Sequence, residues 1–199
     1  MKKNLKEQEL DIVFILDRSG SMHNVVEDTI GGYNGYLEQQ KGKNVKVTTV
    51  LFDDKYEVIN CREKIENVKK LDNETYFVRG CTALYDAIGK TIDYMDSEKT
   101  KKVLFVITTD GLENASKIYN REQVKELIDG HKHWEFIYLG ANIDSYAEGA
   151  KIGIKQDNIA NYKKSSKGIN KMFKAVGCAS DMAYCCDEIN SSEWKRGLE

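Results

Sequence analysis

The run Leu10-Asp11-Ile12-Val13-Phe14-Ile15-Leu16 ends at Asp17-Arg18-Ser19-Gly20-Ser21-Met22, and a second run, Val103-Leu104-Phe105-Val106-Ile107, ends at Thr108-Thr109-Asp110-Gly111. A short, nearly unbroken apolar segment suits a strand covered on both faces, as in a parallel sheet flanked by helices. Each run stops at an Asp beside small polar residues. Between the two runs, Met22 to Gln40 carries a helical stripe of Met22, Val25, Val26, Ile30, Tyr33, Tyr36 and Leu37. Gly31, Gly32 and Gly35 weaken that helix but permit close packing. Val45 to Phe52 and Tyr56 to Cys61 read as strands joined by Asp53-Asp54-Lys55, a connection that suits only an antiparallel hairpin at a sheet edge. Ala83 to Met95 is a predicted helix with Thr82 placed to cap it.

Beyond the second run the alternation continues. Asn120 and Gln123 form a capping box for a helix to Asp129, and Trp134 to Leu139 is a strand closed by Gly140. A short helix over Asp144 to Lys151, a brief strand near Ile159 and a long amphipathic helix from Ser166 to Asn190 follow. That last helix would bury Ile169, Met172, Phe173, Val176, Met182, Cys186 and Ile189. Lys195 to Glu199 is expected to fray, with Leu198-Glu199 reading as a cloning remnant. Strands alternating with helices imply a doubly wound α/β sheet.

The chain has 199 residues, close to one domain, and 41% of them are hydrophobic, enough to fill a core. We expect a lead-in over 1–9, one domain over 10–190 and a tail over 191–199. No proline-rich linker divides the chain, because it contains no proline. The net charge of -2 argues against nucleic acid and anionic membranes as partners. No apolar run approaches the roughly 20 residues that span a bilayer. Met1 to Glu9 is charged rather than the core of a signal peptide. A cytoplasmic location is therefore expected. Cys61, Cys81, Cys178, Cys185 and Cys186 are odd in number and irregularly spaced, which suits reduced thiols. The vicinal pair Cys185-Cys186 suggests a redox switch, a soft-metal site or, more economically, a buried helix face.

In a doubly wound sheet, ligands bind beyond the carboxyl ends of the strands. Asp17, Ser19 and Ser21 follow the first strand, Thr82 opens a helix and Asp110 ends the second apolar strand. If those strands are neighbours, the five side chains converge. Two carboxylates and three hydroxyls make an all-oxygen set suited to a hard cation such as Mg²⁺ (or Mn²⁺ or Ca²⁺) and poorly suited to Zn²⁺. The alternative for each residue is local, since Asp, Ser and Gly after a strand are ordinary turn and cap residues.

Asp17-Arg18-Ser19-Gly20-Ser21-Met22, Gly80-Cys81-Thr82-Ala83-Leu84-Tyr85-Asp86-Ala87 and Thr109-Asp110-Gly111 resemble the three loops of a von Willebrand factor type A domain. In that family these loops form the metal-ion-dependent adhesion site. The resemblance covers roughly Leu10 to Tyr162 and is to the stand-alone intracellular form found in bacteria. It implies a Rossmann-like, mostly parallel sheet with one antiparallel edge strand and helices on both faces. It also implies that Ser19 and Ser21 bind the ion directly, with Thr82, Asp17 and Asp110 binding directly or through water. The function implied is a non-enzymatic protein-binding module whose ion is completed by an Asp or Glu of a partner protein. A Mg²⁺- or Mn²⁺-dependent hydrolase or phosphotransferase, and a scaffold with a vestigial site, are the alternatives.

Several residues stand beside this set. Cys81 occupies a place where the family often has a smaller residue, and its thiolate could compete for a soft metal. Asp86 reads equally as a residue orienting a ligand from behind and as an acid favoured by the helix dipole. His23, His131 and His133 read as solvated, and Lys163, Lys164 and Lys167 form a basic patch without an aromatic platform for bases.

Overall fold

A computed structural model describes residues 9–186, 189 and 191–198. Its centre is a six-stranded sheet in the order β3-β2-β1-β4-β5-β6. The strands are β1 (Leu10–Asp17), β2 (Val45–Phe52), β3 (Tyr56–Lys64), β4 (Val103–Thr109), β5 (Glu135–Gly140) and β6 (Ile159–Asn161). All pairs are parallel except β2 with β3, the hairpin expected at the edge. The helices are α1 (Val26–Gln40), α2 (Leu84–Ser97), α3 (Arg121–Gly130), α4 (Ser145–Lys151), α5 (Ser166–Cys185) and α6 (Ser191–Trp194).

The apolar runs are unbroken because both faces of the sheet are covered. Ile12, Phe14 and Leu16 of β1 face one core with the apolar sides of α1 and α5, whereas Val13 and Ile15 face another with those of α2 and α3. Phe14 packs edge-on against Tyr33 and Tyr36 of α1, with ring centroids 5.2 and 5.0 Å away. Of the three helix glycines, Gly32 is the one that packing requires: a Cβ there would lie 2.2 Å from the ring of Phe173 on α5. Gly31 and Gly35 face open space.

Several expectations need correction. The Met22-to-Gln40 helix begins as a 3-10 turn, Gly20–Val25, before α1. β3 runs past Cys61 to Lys64, with the Arg62 guanidinium paired to Asp11 at 2.9 Å. α5 ends at Cys185, and Cys186 is extended, while residues 187, 188 and 190 of the expected helix lie outside the described residues. All five cysteines are exposed and free, so Cys185 and Cys186 are not a buried face. The buried stripe of α5 ends at Ala183, and the helix stops before Cys186 could extend it. The tail docks instead of fraying, since Trp194 and Leu198 are buried in the core shared by α1 and α5. His131 is stacked on Trp134 at 4.0 Å, with Nδ1 bonded to the Leu127 carbonyl at 2.7 Å, rather than solvated. Of the lead-in expected over 1–9, only Glu9 lies within the described residues.

Candidate metal centre

The strand order turns the chain both ways from β1, towards β2 on one side and β4 on the other. The loops leaving β1 and β4 therefore part at a switch point, where a crevice opens at the carboxyl ends. Register sets the details: Leu16 lies opposite Thr108, which places Asp17 beside Thr109. The Thr109 hydroxyl donates to Asp17 Oδ2 at 2.6 Å, and the Ser19 backbone N–H donates to Asp17 Oδ1 at 2.7 Å. The Ser19 and Ser21 hydroxyls are 3.1 Å apart, and the Ser21 hydroxyl donates to Asp110 Oδ1 at 2.5 Å. Four of the five expected residues are thus joined by hydrogen bonds or one shared step.

Thr82 reaches the same place by another route. It does not cap α2, whose N-cap is Ala83 without a side-chain bond; Glu113 instead accepts from the Tyr85 N–H at 2.9 Å. The Thr82 side chain is buried and faces Gly111, where a Cβ would meet its hydroxyl at 3.1 Å and that of Ser21 at 4.0 Å. The glycine after Asp110 keeps this space clear of side-chain atoms.

Backbone bonds hold the loops in register. Gly20 N–H donates to the Gly80 carbonyl at 3.3 Å, Arg79 N–H to Arg18 at 3.0 Å and Asn114 N–H to Thr82 at 3.0 Å. Gly80 has φ +64°, and a Cβ there would lie 2.0 Å from Asp54 Oδ1, so this crossing requires glycine. Arg18, between the predicted ligands Asp17 and Ser19, points away from them. Its side chain is fully buried (0% exposed) and pairs with the equally buried Asp53 at 2.9 Å, which also takes Arg79 at 2.8 Å. Burial opposes charge on Asp53, but Arg79, the Lys55 N–H and Arg18 outweigh it and hold its carboxyl below the ordinary range. The exposed Phe77 ring lies 5.2 Å from the Arg18 guanidinium and 4.9 Å from that of Arg79.

Asp86 pins a loop. Its carboxylate accepts from the backbone N–H groups of Lys117, Ile118 and Tyr119 at 3.1, 2.9 and 2.9 Å. Burial works against its ionisation, yet these three donors hold its carboxyl below the usual value. His23 is exposed, as is Cys81, and neither joins the hydroxyl cluster through a hydrogen bond.

The electrostatics favour a cation. Burial pushes the Asp17 carboxyl above its ordinary range, opposed by hydrogen bonds from Thr109 and Ser19 and reinforced by the nearby Asp110 charge. Asp110 Oδ2 is buried and accepts no hydrogen bond. The ammonium of Lys164 lies 2.8 Å from it, in an ion pair outside hydrogen-bond geometry. Lys164, one of the three lysines of the expected basic patch, thus turns inward to this carboxylate. The signal available was its position just after β6, at the same strand ends as the other loops. Among the described residues no cluster of three or more His, Cys, Asp or Glu side chains could hold a metal. A site here draws on hydroxyls as well as carboxylates, and the oxygen donors, the cradle at Gly111 that a Cβ would fill and the lone pairs of Asp110 outside any hydrogen bond fit a hard divalent ion.

No protein-family model matches the chain, and no curated protein matches it. Solved structures do. Proximal thread matrix protein 1 from the mussel byssus superposes over 90% of this chain at 14% identity, with a TM-score of 0.63. A structure of that protein is described as having a zinc-occupied MIDAS motif, at 16% identity and a TM-score of 0.63 over 85% of this chain. The chain spans less than half of the mussel protein, 46% and 45% in these two structures. The vWF domain of the type V pili tip protein Mfa5 from Porphyromonas gingivalis matches 84% of this chain and 94% of its own at 7% identity, with a TM-score of 0.63. The pilus adhesin SpaC from Lactobacillus rhamnosus GG, of which 30% is covered, reaches a TM-score of 0.71 at 16% identity over 92% of this chain. The expected Rossmann-like sheet is thus the von Willebrand factor type A fold. Among the described residues no helix is long and apolar enough to cross a membrane.

Proposed function

Taking the von Willebrand factor type A fold as premise, we propose that this chain is a divalent-cation-dependent protein-binding module. Asp17, Ser19, Ser21, Thr82 and Asp110 hold one Mg²⁺ or Mn²⁺, and a partner protein completes the ion with an Asp or Glu. One observation carries the reading: Asp110, in a cluster of hydroxyls, has a buried carboxylate oxygen outside any hydrogen bond, met by the Lys164 ammonium alone at 2.8 Å. An ionised carboxylate offers about four lone-pair sites, and the Ser21 hydroxyl and the Lys164 ammonium leave some of them open. A hard cation uses the same lone pairs.

The charge balance favours an acidic partner. Asp17 and Asp110 supply two negative charges, the three hydroxyls supply none, and octahedral Mg²⁺ commonly keeps water in the remaining positions. Such a water exchanges for a carboxylate, which gains a direct ionic contact in a partly desolvated crevice; a Lys or Arg gains nothing comparable. Leu112, two residues after Asp110, is 54% exposed and offers apolar contact beside that point. Five free, exposed thiols suit a reducing compartment, in keeping with a cytoplasmic setting.

The test is capture of partner proteins on immobilised chain in Mg²⁺ and in excess EDTA, with Thr82→Ala in parallel. Chelation should abolish capture, and Thr82→Ala should weaken it while circular dichroism stays unchanged. Replacing one Asp or Glu of the captured partner should reproduce chelation. Undiminished capture in EDTA refutes the proposal, and phosphatase or esterase activity in Mg²⁺ or Mn²⁺ that Asp110→Ala removes would favour an enzyme instead.

A further inference from the structure

The Lys164 side chain is only 17% exposed and is held at two points, 2.8 Å from Asp110 Oδ2 and 2.7 Å from the carbonyl of Ser21. The flanking Lys163, Ser165, Ser166 and Lys167 are exposed, so the inward turn belongs to Lys164 alone in this segment. Its backbone lies between β6 and α5, next to Ser165, whose hydroxyl caps α5 by accepting from the Gly168 N–H at 3.2 Å. A lysine places one positive charge on a flexible stem, and its three donors need no fixed plane. Here it satisfies the charge of the buried carboxylate without satisfying the lone pairs of Oδ2.

Resting on the reading of this cluster as a cation site, we infer that Lys164 is a tethered competitor for the divalent ion. The ammonium and the ion take Asp110 in turn. A dication bound to Asp110 would stand within a few ångströms of the ammonium, and their repulsion in a poorly solvated crevice exceeds anything the lysine gains from the Ser21 carbonyl. Ion entry therefore requires Lys164 to withdraw, and the apparent affinity is reduced by the fraction of molecules in which Lys164 holds Asp110. When the ion leaves, the lysine returns and Asp110 is not stranded as a buried, unpaired charge. Tethering thus sets a threshold for the ion and releases the 163–165 loop as the ion enters.

Titration calorimetry with Mn²⁺ on the full chain tests this, comparing wild type with Lys164→Met, Lys164→Arg and Lys163→Met. Coupling of this kind is typically 5–150-fold, so Lys164→Met should tighten Mn²⁺ binding by about 10-fold or more. Lys164→Arg should stay near wild type. Lys163→Met, which removes an exposed charge next door, should change affinity by less than about 3-fold. By reciprocity, Lys164→Met should melt below wild type in EDTA, and the gap should close or reverse in saturating Mn²⁺. Equal Mn²⁺ affinity in wild type and Lys164→Met, or an equal gain from Lys163→Met, overturns the inference and leaves the cation site standing. Absence of Mn²⁺ binding by wild type and Lys164→Met alike overturns both.

Discussion

Replacing Asp53 by alanine should destabilise the chain by about 3–4 kcal/mol, although Asp53 is not among the proposed ligands. Its carboxylate is fully buried and accepts from Arg18 Nε at 2.9 Å, Arg79 Nε at 2.8 Å and the Lys55 N–H at 2.7 Å. Removing it leaves the guanidinium of Arg18 buried, with Glu57 at 2.6 Å as its remaining carboxylate partner, and the Glu57 side chain is 48% exposed. Breaking a buried pair from one side typically costs about 3–5 kcal/mol. We take the lower part of that range because Arg79 is one-third exposed and rehydrates. For a chain of this length each kcal/mol moves the melting temperature by about 2–4 °C, giving a fall of about 6–16 °C. Urea unfolding followed by fluorescence and circular dichroism, with coincident transitions, measures it. The double variant Arg18→Met with Asp53→Leu should recover most of the loss, because apolar replacement of a whole buried pair is often close to neutral. A loss below about 1 kcal/mol for Asp53→Ala, or no recovery in the double variant, would show that the buried Arg18–Asp53 pair does not hold the loops.

Asp86→Asn should cost about 1–3 kcal/mol by turning an amide NH₂ towards backbone donors, as chemical unfolding would show. Because the folded-state pKa of Asp86 is lowered, its contribution is present above the ordinary Asp value and is lost as pH falls through the folded value. The gap between wild type and Asp86→Asn should therefore be widest near neutrality and close in acid. Gly32→Ala should lose about 1–3 kcal/mol by driving a methyl into Phe173, whereas Gly35→Ala, facing open space on the same helix, should be neutral or stabilising by up to about 1 kcal/mol in the same assay. Reductant should leave the melting curve unchanged, since all five thiols are free, and a large shift would reveal a bridge.

What the sequence made legible was local or periodic. The apolar runs of β1 and β4 read as doubly covered strands because each residue lies in one of two cores. The three-residue link after Phe52 could join only an antiparallel pair, and Asn120 with Gln123 carries its capping box within four residues. The convergence of Asp17 with Asp110 was readable once two strand ends were matched. Partners distant in sequence were not. Arg18 and Asp53 are 35 residues apart, and neither shows from composition that it is buried. Lys164 meets Ser21 across 143 residues, so a pattern-based reading leaves it on the surface. Glu113 replaced Thr82 as the partner of the first turn of α2 because a loop folds back over the helix end. The docking of Trp194 against the core likewise depends on what α5 and the 156–159 region present to it, with its indole N–H reaching the Asp157 carbonyl at 3.3 Å.

In the proposed module the loops after β1 and β4, with Thr82, hold one divalent cation. Calorimetric titration of chelator-treated protein with Mg²⁺ and with Mn²⁺ tests it most directly, using Asp17→Ala, Asp110→Ala and Glu126→Ala, the last removing an exposed acid on α3. Wild type and Glu126→Ala should each bind one ion per chain, the two site variants should bind none, and the melting temperature should rise with ion in the first two proteins only. No binding at millimolar ion by wild type and by Lys164→Met alike, or an equal loss in all three variants, rules the site out.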